Sequence, residues 1–210
     1  MDLLLQYGWI ALAIAIVGEI LVPFILAVFF KGYRHTTIVI STLGIDGSPT
    51  AIPFRLWMFL AGVLFILSTP VLYTSYSSVF PPLSVAVVVL LVIFAFGACI
   101  LSAVFSVNET KDIITTASKI HGIGSAVGFM ALLFVPLLLA ILSFMAADIP
   151  FGMFCSISFG FALATFALFV MADKQQSMNT VVAWEGLWQR LSLLFMYLPR
   201  LIISLKHMLA

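Results

Sequence analysis

Charge is what this chain has least of. Only 8% of its 210 residues are Asp, Glu, Lys or Arg, while 64% are hydrophobic. A soluble domain carries about 25% charged residues, so this chain cannot cover a water-facing surface and must be solvated by lipid. The net charge of +1 leaves no electrostatic case for a nucleic-acid partner. Cysteine is nearly absent too. Cys99 and Cys155 both lie inside apolar runs, which excludes a disulfide framework and reads as small core packing. The three histidines are His35, His121 and His207. With His207 at the opposite end of the predicted bundle, a four-histidine, two-haem cytochrome is excluded. No HExxH, Walker, GxGxxG, GxSxG or Ser–Lys spacing occurs, and no matched halves suggest an inverted repeat. The N-terminal apolar run lacks a basic flank and exceeds the ~7–15 residues of a signal-peptide core, so it reads as a retained first helix.

What remains is apolar sequence in long blocks. In lipid every backbone polar group needs an internal partner, so only helices or a closed barrel can span. The blocks are far longer than the ~10-residue alternating segments of a barrel. Each exceeds the ~20 residues needed to cross a bilayer. The expectation is an all-α polytopic membrane protein: one six-helix transmembrane domain over residues 1–210. Its helices fall at about 3–30, 53–78, 83–107, 120–145, 151–172 and 181–208. Phe80-Pro81-Pro82 breaks the chain between helices 2 and 3 because proline cannot continue a helix. Gly124 and Gly128 make a small-xxx-small face on helix 4, and Ser156, Gly160 and Ala164 make another on helix 5, so these helices are expected to pack closely.

Lys31, Arg34, Arg55, Lys111, Lys119, Lys174 and Arg190 gather on the side of connectors 1–2, 3–4 and 5–6. The positive-inside rule therefore places those connectors in the cytoplasm and both termini outside. Arg200 and Lys206 run against that trend. The expected location is the cytoplasmic (inner) membrane of a prokaryote.

The longest polar interruption is Lys31–Arg55, KGYRHTTIVISTLGIDGSPTAIPFR. It is rich in turn residues, with Asp46-Gly47 as a turn dipeptide, and its Thr37–Ser41 run alternates as a short strand would. Three pieces of the chain carry a resemblance: Tyr33-Arg34-His35 with Ser41, Gly44 and Ser48-Pro49 before helix 2; His121 opening helix 4; and Gly186-Leu187-Trp188-Gln189-Arg190 opening helix 6. On these motifs, which span most of the chain, the sequence resembles a prokaryotic family of six-helix membrane proteins designated domain of unknown function 998. The resemblance implies the six-helix fold. It implies no reaction and transfers no catalytic role.

The polar residues share one membrane level, and polar groups at membrane depth usually face an interior or a water-filled cavity. We expect a cytoplasm-facing cavity roofed by the first connector. Its expected ligand-binding residues are Arg34, His35, Ser48, Arg55, Asp112, His121, Gln189 and Arg190. Backbone N–H groups at the roof turns, with Arg34 and Arg55, would suit a phosphate or carboxylate headgroup. The first functional reading is therefore a protein that binds a lipid or other amphiphilic small molecule for transport or sensing. A second reading is a membrane-embedded enzyme acting on a lipid with His35 or His121 as general base. A third is a single-haem or metal-binding membrane protein. No cofactor or metal motif is present, and a role as a homo-oligomer or a subunit of a membrane complex stays open.

Glu19 and Arg200 are the deepest charges. At ~1.5 Å per residue, Glu19 lies roughly 18 Å from the polar boundary at Lys31, and Arg200 roughly 15 Å from Arg190. A lone charge at such depth costs roughly 2.5–3.5 kcal/mol on the insertion scale. The expectation is an intramembrane ion pair between Glu19 and Arg200, made directly or through water and joining helices 1 and 6; the alternative is a protonated Glu19 hydrogen-bonded within the bundle while Arg200 snorkels outward.

Overall fold

The structure, a computed structural model, describes residues 2–108, 114–174 and 180–209. Among the described residues six helical spans are long and apolar enough to cross a membrane: Leu5–Ala27, Ala51–Tyr76, Pro81–Val104, Thr116–Met145, Ile149–Ala172 and Glu185–Leu209. They comprise α1 (Asp2–Ala27), α2 (Ala51–Leu67) with α3 (Thr69–Tyr76), α4 (Pro81–Phe94) with α5 (Leu101–Val104), α6 (Thr116–Met145), α7 (Ile149–Lys174) and α8 (Glu185–Leu209). No strand occurs among the described residues. The strand that the alternation of Thr37–Ser41 allowed is not formed; Ile40–Gly44 winds into a short 3-10 helix instead.

The spans form a closed ring in sequence order. α1 packs on α2, α2 on the third span, α4 on α6, α6 on α7 and α7 on α8, and α8 returns to α1. The short connectors at 77–80 and 146–148 hold the second span beside the third and α6 beside α7, because an antiparallel neighbour is the nearest place a short loop can reach. Large side chains fill the ring interior: Phe65, Phe94, Tyr197, Leu12, Ile16, Leu91 and Leu139 are fully enclosed. Lipid tails are as apolar as these residues, so packing and interhelical polar contacts hold the ring rather than exclusion of water.

Two irregularities shape it. Pro70 ends the regular turns of α2 because it has no N–H to donate. The carbonyls left over find side chains: Ser68 donates to Phe65 O at 2.7 Å and Thr69 to Ile66 O at 2.8 Å. Within the third span, Ala95–Ile100 winds as a π-helical turn. This turn presents Gly97 and Ala98 to Gly124 and Gly128 of α6, where a Cβ on Gly97 would fall 2.5 Å from Gly124 O. The small face of α6 thus serves the third span, not helix 5 as expected. α6 and α7 are neighbours nonetheless. On α7, Ser156, Gly160 and Ala164 are exposed. At the start of α6, Thr115 and Ser118 form a reciprocal capping box, moving the helix start upstream of residue 120.

Candidate functional site

The connector between α1 and α2 lies across one end of the ring, and its lack of regular structure decides what the nearby arginines do. A turn-rich segment leaves carbonyls that no helix or sheet ladder satisfies, and each needs a donor. Arg190 of α8 supplies two of them: Nη1 donates to His35 O at 2.9 Å and Ile38 O at 3.0 Å, and also to Gly186 O of its own helix at 2.8 Å. Its Nη2 donates to Tyr33 Oη at 2.6 Å, and its guanidinium lies over the Tyr33 ring. Arg55 clamps the other half, with Nε and Nη2 donating to Gly44 O at 3.0 and 2.7 Å and Nη2 paired to Asp46. Asp46 also accepts from Ser106 at 2.7 Å, tying the roof to the end of the third span. Ser48 and Thr50 both donate to Leu43 O, and Gly47 takes the positive φ of 82° that its turn requires. Leu187 N donates to Thr36 O, and Ile40 N to Gln189 Oε1 at 2.7 Å.

Gly186 explains itself here. A Cβ at this position would collide with the carbonyl oxygens of Ile38 and His35, so only glycine lets α8 seat against the roof. His35 stacks on Phe24 of α1 with ring centroids 4.6 Å apart. Burial, with help from the Arg190 charge, holds its pKa below the ordinary histidine value. Burial raises the Tyr33 phenol, with Arg190 pulling the other way. The Ser106 and Arg55 hydrogen bonds hold the Asp46 carboxyl below its usual range.

Beneath the roof lies a cavity of about 560 Å³. Along α8 its wall reads Glu185, Gln189 and Leu193, spaced four apart and so on one helical face. Along α6 it reads His121, Ser125 and Phe129 at the same spacing. His121 Nδ1 lies 2.9 Å from Phe105 O. A carbonyl can only accept, so Nδ1 carries the proton and Nε2 holds a lone pair. Ser102 and Ser125 share a hydrogen bond of 3.1 Å in the wall. Opposite stand Phe166, Phe169 and Val170 of α7. Met130 of α6 and Val170 of α7 both line the cavity and are both 45% exposed, so the cavity reaches the lipid-facing surface between these two helices.

At its inner limit the cavity meets Glu19, which is 8% exposed. Trp57 Nε1 donates to its Oε1 at 3.0 Å and Tyr197 Oη to its Oε2 at 3.3 Å. Gly18 beside it leaves the room that the Trp57 indole occupies. Arg200 lies in the same layer with no exposed surface, its guanidinium over the rings of Tyr197 (5.2 Å) and Phe65 (5.6 Å). Nη2 donates to Met196 O at 3.4 Å, while Nε and Nη1 have no partner. The expected Glu19–Arg200 ion pair is not made directly. α1 and α8 are neighbours, but Tyr197 intervenes, donating to Glu19 with its hydroxyl and stacking under Arg200 with its ring.

Of the residues expected to bind a ligand, His121 and Gln189 line the cavity. Arg55, Arg190 and Ser48 are spent on the roof, Arg34 is exposed on its surface, and His35 packs on Phe24. For Arg55, Arg190 and Ser48 the physical reason is the same: the roof's own carbonyls take the donors that a ligand was expected to take. Asp112 lies outside the described residues. Among the described residues neither His35 nor His121 hydrogen-bonds a Ser, Asp or Glu side chain, and no group of three or more His, Cys, Asp or Glu is arranged to hold a metal. Sequence reading missed Glu19 as a cavity residue. The signal was present, since it is the single acid within helix 1 and follows a glycine.

Six apolar spans closed around a buried arginine and carboxylate define an integral, polytopic membrane protein. The family described as "Protein of unknown function (DUF998)" matches residues 10–206, and the chain belongs to that family. No curated protein and no solved structure matches it.

Proposed function

We propose that this protein binds a lipid or other amphiphilic small molecule in the cavity under the roof. The observation that carries the reading is the cavity's two-sided lining. Glu19, Glu185 and Gln189 on α1 and α8, with His121 and Ser125 in the first turns of α6, make its polar part, and Phe129, Met130, Phe166, Phe169 and Val170 of α6 and α7 its apolar part. Its volume falls within the ~300–1,000 Å³ of small-molecule sites, which are mostly apolar with a few placed polar groups. The polar end of the ligand sits against α1 and α8, and its apolar chain runs toward the lipid between α6 and α7. That side access suits a ligand drawn from the bilayer, for transport or for sensing. In this reading the protein lies in a prokaryotic cytoplasmic membrane, with the roof and the cavity on the cytoplasmic side.

The test is native mass spectrometry of the purified protein beside Ala126→Trp, which fills the cavity from an exposed position on α6. A bound lipid or amphiphile in the wild type, lost in the variant, is the expected result. Equal occupancy in both, or none in the wild type, refutes it. For orientation, a cysteine introduced at Ser48 should resist an impermeant thiol reagent in intact cells while one at Asp148 is labelled.

A further inference from the structure

Glu19 lies at the inner limit of this cavity, and among the described residues no lysine or arginine lines it; its other titratable groups are His121 and Glu185, and Glu185 has a partner of its own. The arginines nearby are turned away: Arg55 and Arg190 serve the roof carbonyls, and Arg200 lies on aromatic faces. Glu19 is more than nine-tenths buried, and each of its oxygens accepts one hydrogen bond, from Trp57 and from Tyr197. No ion pair with it is formed by any described cation. A buried carboxylate without a counter-charge is costly, and a cation entering the cavity offsets that cost.

The aromatic residues are arranged to help. A continuous series of rings runs from the Glu19 partner Tyr197 to the far wall: Tyr197 to Phe94 at 6.1 Å, Phe94 to Phe129 at 6.4 Å, Phe129 to Phe169 at 6.2 Å, and Phe169 to Phe166 at 6.2 Å. All but Tyr197 line the cavity. The faces of such rings attract ammonium groups and repel anions. We propose that the cavity selects amphiphiles with a cationic head, an amine or a quaternary ammonium, with Glu19 as counter-charge and the Phe94–Phe129–Phe169 series as its aromatic surround. The proposal rests on the amphiphile-binding reading above and replaces the anionic headgroup that the roof arginines suggested from sequence.

The experiment titrates the full chain, in uncharged maltoside micelles, with dodecyltrimethylammonium, dodecanol and dodecyl sulfate, following tryptophan fluorescence. Trp57, bonded to Glu19, is the internal reporter. The ammonium probe should bind at least about tenfold tighter than dodecanol, the low end of what a charged hydrogen-bond partner contributes, and dodecyl sulfate should bind weakest. Glu19→Gln should remove the ammonium preference, bringing the affinity of the ammonium probe down to that of dodecanol for the same variant. Phe169→Leu, which leaves Glu19 untouched, should weaken the ammonium probe about threefold more than it weakens dodecanol. Equal affinities, a preference for the sulfate, or equal losses for both probes in Phe169→Leu overturn the proposal. Saturable dodecanol binding that Ala126→Trp abolishes would still uphold the amphiphile reading in that event. No saturable binding of any probe overturns both.

Discussion

Removing the Arg190 side chain beyond its aliphatic stem should open the roof while leaving the helical ring standing. Arg190→Met keeps much of the apolar stem but deletes the donors to His35 O, Ile38 O, Gly186 O and Tyr33 Oη. A hydrogen bond from a charged donor contributes ~1.5–3 kcal/mol where the acceptor is left buried. Gly186 O sits within the first turn of α8, and the site is only part-buried, so water can replace some of what is lost. Counting two of the four at the low end gives a destabilisation of about 3 kcal/mol, a fall of roughly 6–12 °C in Tm for a chain of this size. The loss should be local first. Limited proteolysis should cut between Tyr33 and Gly44 in the variant under conditions where the wild type stays whole. Arg190→Lys retains the charge but not the fork that reaches several carbonyls at once, and should fall between the two. The reasoning is refuted if Arg190→Met melts within about 2 °C of wild type and the roof remains uncut.

Three further outcomes follow from the same contacts. Gly186→Ala places a methyl against the backbone oxygens of Ile38 and His35, which cannot swing aside, and should cost about 1–3 kcal/mol and expose the same proteolytic site. Gly18→Ala forces the Trp57 indole off Glu19; a comparable loss is expected, and a shifted tryptophan emission maximum reports it. The roof should also weaken in mild acid. The folded-state pKa of His35 lies below its ordinary value of 6.5, so the unfolded segment takes up the proton first. Stability is then fully present above about pH 6.5 and declines as the pH falls through the lowered value. Proteolysis of the roof should quicken between pH 7.5 and 5.5, and His35→Phe should flatten that dependence.

The sequence displayed the six spans because hydropathy needs no partner to be read: a stretch of Leu, Ile, Val and Phe long enough to cross a bilayer announces itself. It did not display which face of each helix looks inward. α1, α4 and α7 are apolar on all sides, since lipid accepts the same residues as the core, and periodicity then carries no information. Glu19 and Arg200 illustrate the limit. Counting residues from the polar boundary put both at one depth, which is where they lie, but depth fixes only one coordinate. The direction each side chain takes around its axis depended on Tyr197, Trp57 and Phe65, distant in sequence. Arg55 and Arg190 were legible as functional-looking cations beside a turn-rich loop. Their employment by that loop's carbonyls was not, because an irregular segment's unsatisfied acceptors are invisible until its path is known. His121, in the first turn of predicted helix 4, and Gln189, within predicted helix 6, line the cavity and needed no such knowledge.

The ring order has a consequence for biosynthesis. α8 is made after the other five spans, and its window is the least apolar of the six, with a mean hydropathy of 1.2. It also carries Arg200, the residue least able to enter lipid unaccompanied. Part of the surface that accommodates Arg200, the ring of Phe65, belongs to a helix already inserted, as does Glu19, which accepts from Tyr197. The nascent five-span intermediate therefore holds an open slot between α1 and α7, with a carboxylate at its depth still lacking the Tyr197 donor. A chain ending before residue 185 would lack the Tyr197 hydroxyl and so leave Glu19 with one hydrogen-bond donor fewer than it has in the finished protein.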